Sequence, residues 1–164
     1  MAAKRCEVDC YPAKSQRACT IYTNTASNDG GGMQLEDTFT VNAKNTIVAG
    51  NGAGEVGPDI RGTIQSYDYN LIQNTSGATI QGTTTHNITG INPMLGPLAN
   101  NGGRTWTHAL LAGSPAINAG SCADIAGDPI TVDQRGIART SPCDIGAYEY
   151  VLWVYLPLVM RNSP

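Results

Sequence analysis

The sequence predicts an all-β chain wound as a solenoid of short parallel strands, and three observations carry that expectation. Composition is the first: the 164 residues include 19 Gly, 17 Thr, 13 Ile and 13 Asn but only 6% aromatics. Thr and Ile fit a pleated surface, while Gly and Asn tolerate the left-handed backbone angles of tight turns. The second is run length: β-branched runs of three to five residues are short for a hairpin sandwich but suit a chain that turns after every strand and stacks on its neighbours. The third is spacing, with 26 residues from Ile21 to Ile47 and 25 from Ile47 to Ile72, within the range of solenoid repeats.

Residues 1–18 are polar and without period, and read as an irregular lead-in. Residues 19–94 read as coils, with strand segments at Thr20-Ile21-Tyr22, Phe39-Thr40-Val41, Thr46-Ile47-Val48, Thr63-Ile64, Asn70-Leu71-Ile72, Thr79-Ile80 and Asn87-Ile88-Thr89. Gly30-Gly31-Gly32 and Gly50-Asn51-Gly52 are the expected corners, where positive φ matters more than side-chain contact. Asn45, Asn70 and Asn87 suggest an amide ladder, but intervals of 25 and 17 support only the first pair. Residues 95–150 read as a closing region rich in turn signals, Gly96-Pro97 and Asn100-Asn101-Gly102-Gly103 among them. Thr107 to Ala112 is expected to form one helical turn. Leu110, Leu111, Ile117 and Trp106 are expected to cover the open end of the last coil, since a solenoid must hide its unpaired edge. Residues 151–164 hold an apolar run, Val151 to Met160, too short for a helix that needs roughly 20 residues to span a bilayer. It reads as an edge strand, which Pro157 permits, as a tail used in sorting or attachment, or as an artefact of the gene end.

A net charge of -3 and a charged fraction of 14%, with basic residues scattered singly after Lys4-Arg5, leave no stripe to follow a phosphate backbone. Nucleic acid is therefore not an expected partner. Of the five cysteines, Cys122 and Cys143 flank a Gly/Pro/Asp-rich segment and read as a disulfide, which implies an oxidising compartment; two buried thiols are the alternative. Cys6, Cys10 and Cys19 lack a fourth ligand at finger-like spacing, so no zinc site is expected. Neither is any other metal or cofactor: Asp124 and Asp128 around Gly127 lack the acidic ladder of a calcium loop, and the glycines lack a phosphate-binding pattern. The opening residues carry no apolar export segment; with the late cysteines paired, the expectation is a fragment of a longer exported protein or a gene model begun inside one.

The run NPMLGPLANNGGRTWTHALLAGSPAINAG (92–120), then Asp133-Gln134-Arg135-Gly136 and CDIGAYEY (143–150), resembles the closing region of exported bacterial right-handed parallel β-helix proteins of the choice-of-anchor Q type. NTASNDGGGM (24–33), NTIVAGN (45–51), GPDIRG (57–62) and YNLIQNTSG (69–77) are similar to that family's coil segments. The resemblance covers roughly residues 20–150. It implies a short C-terminal portion of a pectin-lyase-like β-helix with a capping region, secreted or held at the cell surface. The tail YLPLVMRN (155–162) is similar to short C-terminal ends of exported bacterial proteins. Relatives of this architecture include polysaccharide-cleaving enzymes, adhesins and spacers, and fold alone does not choose among them.

The expected function is a structural or adhesive surface element without catalysis of its own, its partners a surface polysaccharide or another chain met through the solenoid edge or tail. The alternative is a carbohydrate-active lyase or hydrolase using Asp59, Arg61 and Asp68 on a lateral face, where acids or a cation would hold the sugar. Asp59 and Arg61, two apart, would share one side of a strand, with Asp68 returning beside them; the plainer reading makes Asp59 a turn residue after Pro58. Asp133, Arg135 and Gly136 read as a fixed bend, Arg135 forking onto Asp144 or Glu149 to pin the closing region. His86 and His108 have no nucleophile-elbow serine near them in sequence, and His108 reads as a packed imidazole. The glycosylation-type triplets at Asn74 and Asn87 read as corners.

Overall fold

The computed structural model describes residues 8–9, 18–36 and 39–152. The expectations for Cys6, Cys10 and the apolar segment from residue 153 onward lie outside the described residues.

The described chain is all-β, built in order from β1 (Val8–Asp9), β2 (Thr20–Tyr22), β3 (Thr25–Ala26), β4 (Met33–Gln34), β5 (Val41–Ala43), β6 (Ile47–Ala49) and β7 (Gly52–Ala53). Then follow β8 (Ile60–Tyr67), β9 (Leu71–Ile72), β10 (Ala78–Thr83), β11 (Ile88–Thr89), β12 (Leu95–Ala99) and β13 (Thr107–Leu110). One sheet runs β1-β2-β6-β9-β11. Its strands β2, β6, β9 and β11 are all parallel, with Thr20 beside Ile47, Ile47 beside Leu71 and Leu71 beside Ile88. Successive turns of chain are thus 27, 24 and 17 residues long. Parallel strands cannot be joined by hairpins, so each turn must travel round through other sheets before it returns. It does so through β3–β7 and through β8, which pairs in parallel with β4, β5 and β10. The arrangement is consistent with a solenoid-type fold. Gly62 bends β8 between its contacts with β4 and β5: its φ is +107°, and an added Cβ would sit 2.4 Å from the Leu35 carbonyl oxygen.

The antiparallel pairs are β1 with β2 and β12 with β13. The lead-in is therefore not wholly irregular, because Val8–Asp9 extends the first sheet. Thr107–Leu110 is extended rather than the expected helical turn. It pairs with a strand that contains Gly96 and Pro97 and shifts register between Leu95 and Leu98; edge pairing there outweighs the weak local helix preference of four residues.

Register decides which side chains share a core. Ile21 stands beside Val48, not Ile47, and Val48 beside Ile72. Because side chains alternate faces, that one-residue difference sends Ile47 to the opposite side of the sheet from Ile21. The interior cluster is Ile21, Ala43, Val48, Ile60, Ile64 and Ile72. A second cluster on the other face joins Ile47, Ala49 and Leu71 to Leu110, Ala116 and Ile145. The sheet is thus buried on both faces, the usual condition of parallel strands.

The second cluster also corrects the expected position of the closing region. Residues 95–150 lie along the outer face of the first sheet, reaching from Thr20, whose Oγ1 accepts from Ala147 N, to Ile88. They do not cover the end of the last turn. Trp106 and Leu111, two of the expected covering residues, are 60% and 46% exposed. The last turn instead shortens, with no counterpart of β3 and β7.

Ile60 is fully buried in the interior cluster, whereas Phe39 is 67% exposed. Ile60→Ala should lower the unfolding free energy by about 2–5 kcal/mol in urea titrations, and Phe39→Ala by less than about 0.5 kcal/mol. Equal effects would contradict this assignment of the core.

Candidate functional site

Amide side chains stack from turn to turn and set the polar architecture. Asn24 and Asn51 occupy equivalent positions: Asn51 Oδ1 accepts from Asn24 N at 2.8 Å and Asn24 Nδ2 at 3.1 Å. Asn51 Nδ2 donates onward to Asp59 Oδ1 at 2.9 Å. A second ladder runs Thr46, Asn70, Asn87, with Asn70 Oδ1 accepting from Thr46 N at 3.0 Å and Asn87 Oδ1 from Asn70 N at 2.9 Å. The expected ladder thus begins at Thr46, and its Asn70–Asn87 step exists because the last turn is only 17 residues long. Asn45 points elsewhere: it exchanges hydrogen bonds with the Ser121 backbone at 2.7 and 2.9 Å and ties the closing region to the sheet.

The lateral trio is not assembled. Asp59 ends the first ladder, accepting also from Asn74 N at 2.7 Å, and is 1% exposed. Burial pushes its carboxyl above the ordinary 3.8, with the hydrogen bonds from Asn51 and Asn74 opposing that rise. Its oxygens are taken by Asn51 N, Asn51 Nδ2 and Asn74 N. Arg61 faces outward and pairs with Asp29 at 2.7 Å. Asp59 and Arg61 do not share a side because Asp59 precedes β8, where strand alternation has not begun. Asp68 lies beyond the far end of the same strand, at φ +73°, rather than beside Asp59.

Asp68 holds His86 from the next turn, Oδ1 accepting from His86 N at 2.6 Å and Oδ2 meeting Nδ1 at 2.7 Å. Tyr69 stacks on the imidazole, centroids 4.6 Å apart and rings nearly parallel. Burial alone would raise the Asp68 carboxyl, but the His86 side-chain and backbone hydrogen bonds prevail and hold it below 3.8. The His86 side chain is 55% exposed at a shallow groove of about 490 Å³ lined by Tyr69, His86, Asn87, Ile88, Asn118 and Pro142, among others. A carboxylate on Nδ1 orients an imidazole as a base, as in nucleophile triads. The groove lining supplies no serine, cysteine, lysine or arginine to complete such chemistry. Sequence reasoning separated Asp68 from His86 because their partnership depends on the length of the last turn.

The closing region has little regular structure, and covalent and ionic links take its place. Cys122 and Cys143 form a disulfide with Cα atoms 5.3 Å apart, worth about 3 kcal/mol for a loop of this length. Cys19 is disulfide-bonded as well. Asp133 accepts from the backbone N–H groups of Arg135, Ile137 and Glu149, and Gly136, at φ +87°, completes that bend. Arg135 pairs with Asp133 at 2.6 Å rather than with the carboxylates of Asp144 or Glu149; it reaches Glu149 only at its backbone oxygen and lies 3.5 Å over the Tyr148 ring. The bend brings Asp133 nearest. Arg139, which the sequence did not single out, takes the Glu149 carboxylate at 3.1 Å and the carbonyls of Asp144 and Gly146. Its signal was arithmetic: Asp133, Asp144 and Glu149 buried together call for a second cation. Burial pushes Asp144 and Glu149 up and Arg139 down from their ordinary values. Asp144 accepts from Asn118 N and Tyr150 N.

Asp124 Oδ1 accepts from the N–H groups of Ala126 and Asp128 in a turn. Among the described residues no group of three or more His, Cys, Asp or Glu is placed to hold a metal ion, and no helix is long and apolar enough to cross a membrane. His108 is buried, its Nδ1 2.8 Å from the Gly96 carbonyl and its ring edge-on to Tyr22. Compared with known proteins, the chain matches no family model, no curated protein and no solved structure.

A carboxylate held below its unfolded value stabilises the fold fully above that value and loses the contribution as pH falls through the lowered one. Asp68→Asn should therefore cost about 1 kcal/mol at neutral pH, with the deficit shrinking below the ordinary 3.8. Urea midpoints against pH measure this, and a deficit that persists undiminished in acid would contradict it.

Proposed function

We propose that this chain is the closing portion of a right-handed parallel β-helix in a secreted or surface-held protein, and that it acts as a structural or adhesive element without catalysis. The observation that carries the reading is the fate of the polar side chains. Asp59 is enclosed by Asn51 and Asn74, Arg61 is paired to Asp29 and Asp68 to His86. The acids and cation that a sugar-cleaving groove would present are spent on holding turns together. The cluster of Asp133, Arg135, Arg139, Asp144 and Glu149 likewise meets backbone and its own members.

Three further features favour this role. Parallel rungs in register suit an elongated element that presents side faces. The Cys122–Cys143 disulfide fits an oxidising compartment. The closing region, residues 95–150, lies along a sheet face as a fastened flank, leaving surfaces through which a polysaccharide or another chain could be engaged.

The test is direct incubation with polygalacturonate, alginate and a neutral polysaccharide, following reducing ends and unsaturated uronates. Wild type should release no more product than Asp68→Asn. Release that disappears in Asp59→Asn and Asp68→Asn would overturn the reading in favour of a carbohydrate-active domain.

A further inference from the structure

Among the described residues, β10 and β11 are the last strands of their sheets. Among the described residues nothing pairs with the outer side of β10 or β11. Backbone groups of successive strand residues point to opposite edges. Gly77 O accepts from Gly62 N, and Thr83 O accepts from Ser66 Oγ, so odd-numbered positions of β10 face β8. The N–H and C=O of Ile80 and Gly82 therefore face outward. Beside them a groove of about 480 Å³ is lined by Thr75, Ala78, Ile80, Thr84, Asn87 and Thr89.

Edge strands are ordinarily defended by lysines, prolines or inward charges. From Tyr69 to Gly103, 35 consecutive residues, there is no Asp, Glu, Lys or Arg, and β10 itself reads Ala-Thr-Ile-Gln-Gly-Thr. In a two-fold contact each group near the axis meets its own kind, so any charge there would face a like charge. A different partner would impose no such neutrality and would be better recognised by charge. The occupant that matches an uncharged, undefended edge is a second copy.

We propose that two copies of this chain associate end to end through antiparallel pairing of β10 with β10 of the second copy, about a two-fold axis at Gln81. Ile80 then exchanges backbone hydrogen bonds with Gly82 of the second copy, and the Ile80 side chains and the neutral grooves lie at the junction. This pairing depends on the open edge and not on the surface-protein reading.

The test uses the full chain in sedimentation equilibrium over a concentration series, with Gln81→Lys and Gln81→Glu. Gln81 is exposed, so neither substitution disturbs the core. Wild type should reach twice the monomer mass, and each variant alone should remain at the monomer mass. An equimolar mixture of the two variants should regain the doubled mass, which also demonstrates that both are folded. A monomeric wild type would overturn the proposal. Dimeric single variants would overturn it too, as would a mixture that fails to regain the dimer, because the contact would then be elsewhere or not two-fold.

Discussion

The structure depends on the register in which one turn of chain lies on the next. In the first sheet, with strands of two or three residues, no single strand carries enough side chains to specify its own faces. The offset between turns does so, and β2, β6 and β9 act as one surface because Thr20, Ile47 and Leu71 align. From that alignment follow two cores on the two sides of one sheet, one sealed within the turns and one against residues 95–150. The amide ladders supply the polar half of the same constraint. Asn51 reads the backbone of both Asn24 and Ile21, so a slip of one residue would leave buried amides unpaired, at a cost of about 1–3 kcal/mol for each group.

The polar residues divide by this logic. Asp59 terminates a ladder, Asp68 clasps the following turn through His86, and Asn45 fastens the closing region. The closing region, with few strand pairs of its own, depends on one disulfide and a buried set of carboxylates and guanidiniums whose charges offset one another. Removing one member of such a buried set leaves an uncompensated charge, which costs about 3–5 kcal/mol, so the set acts as a unit.

The all-β class, the parallel rungs and the disulfide were legible in the sequence, because composition, spacing and cysteine position bear on them directly. The left-handed corner at Gly50 was legible too, its φ being +62°. Register was not: Ile47 and Val48 are adjacent apolar residues, and either satisfies a repeat of about 26. The placement of residues 95–150 was missed for a related reason, since an apolar Leu110 fits an exposed end as well as an exposed face. Only the one-residue shift, which turns Ile47, Ala49 and Leu71 outward, creates the face that needs covering. The Asp68–His86 pair was hidden by the shortening of the turns from 27 to 17 residues, which no fixed period anticipates.

Register is tested most directly by nuclear Overhauser contacts among assigned methyl groups in solution. The structure requires Val48 to contact Ile21 and Ile72, and Ile47 to contact Leu71 and Ile145. Contacts from Ile47 to Ile21 and Ile72, or close Hα–Hα contacts marking β2 and β6 as antiparallel, would contradict the account.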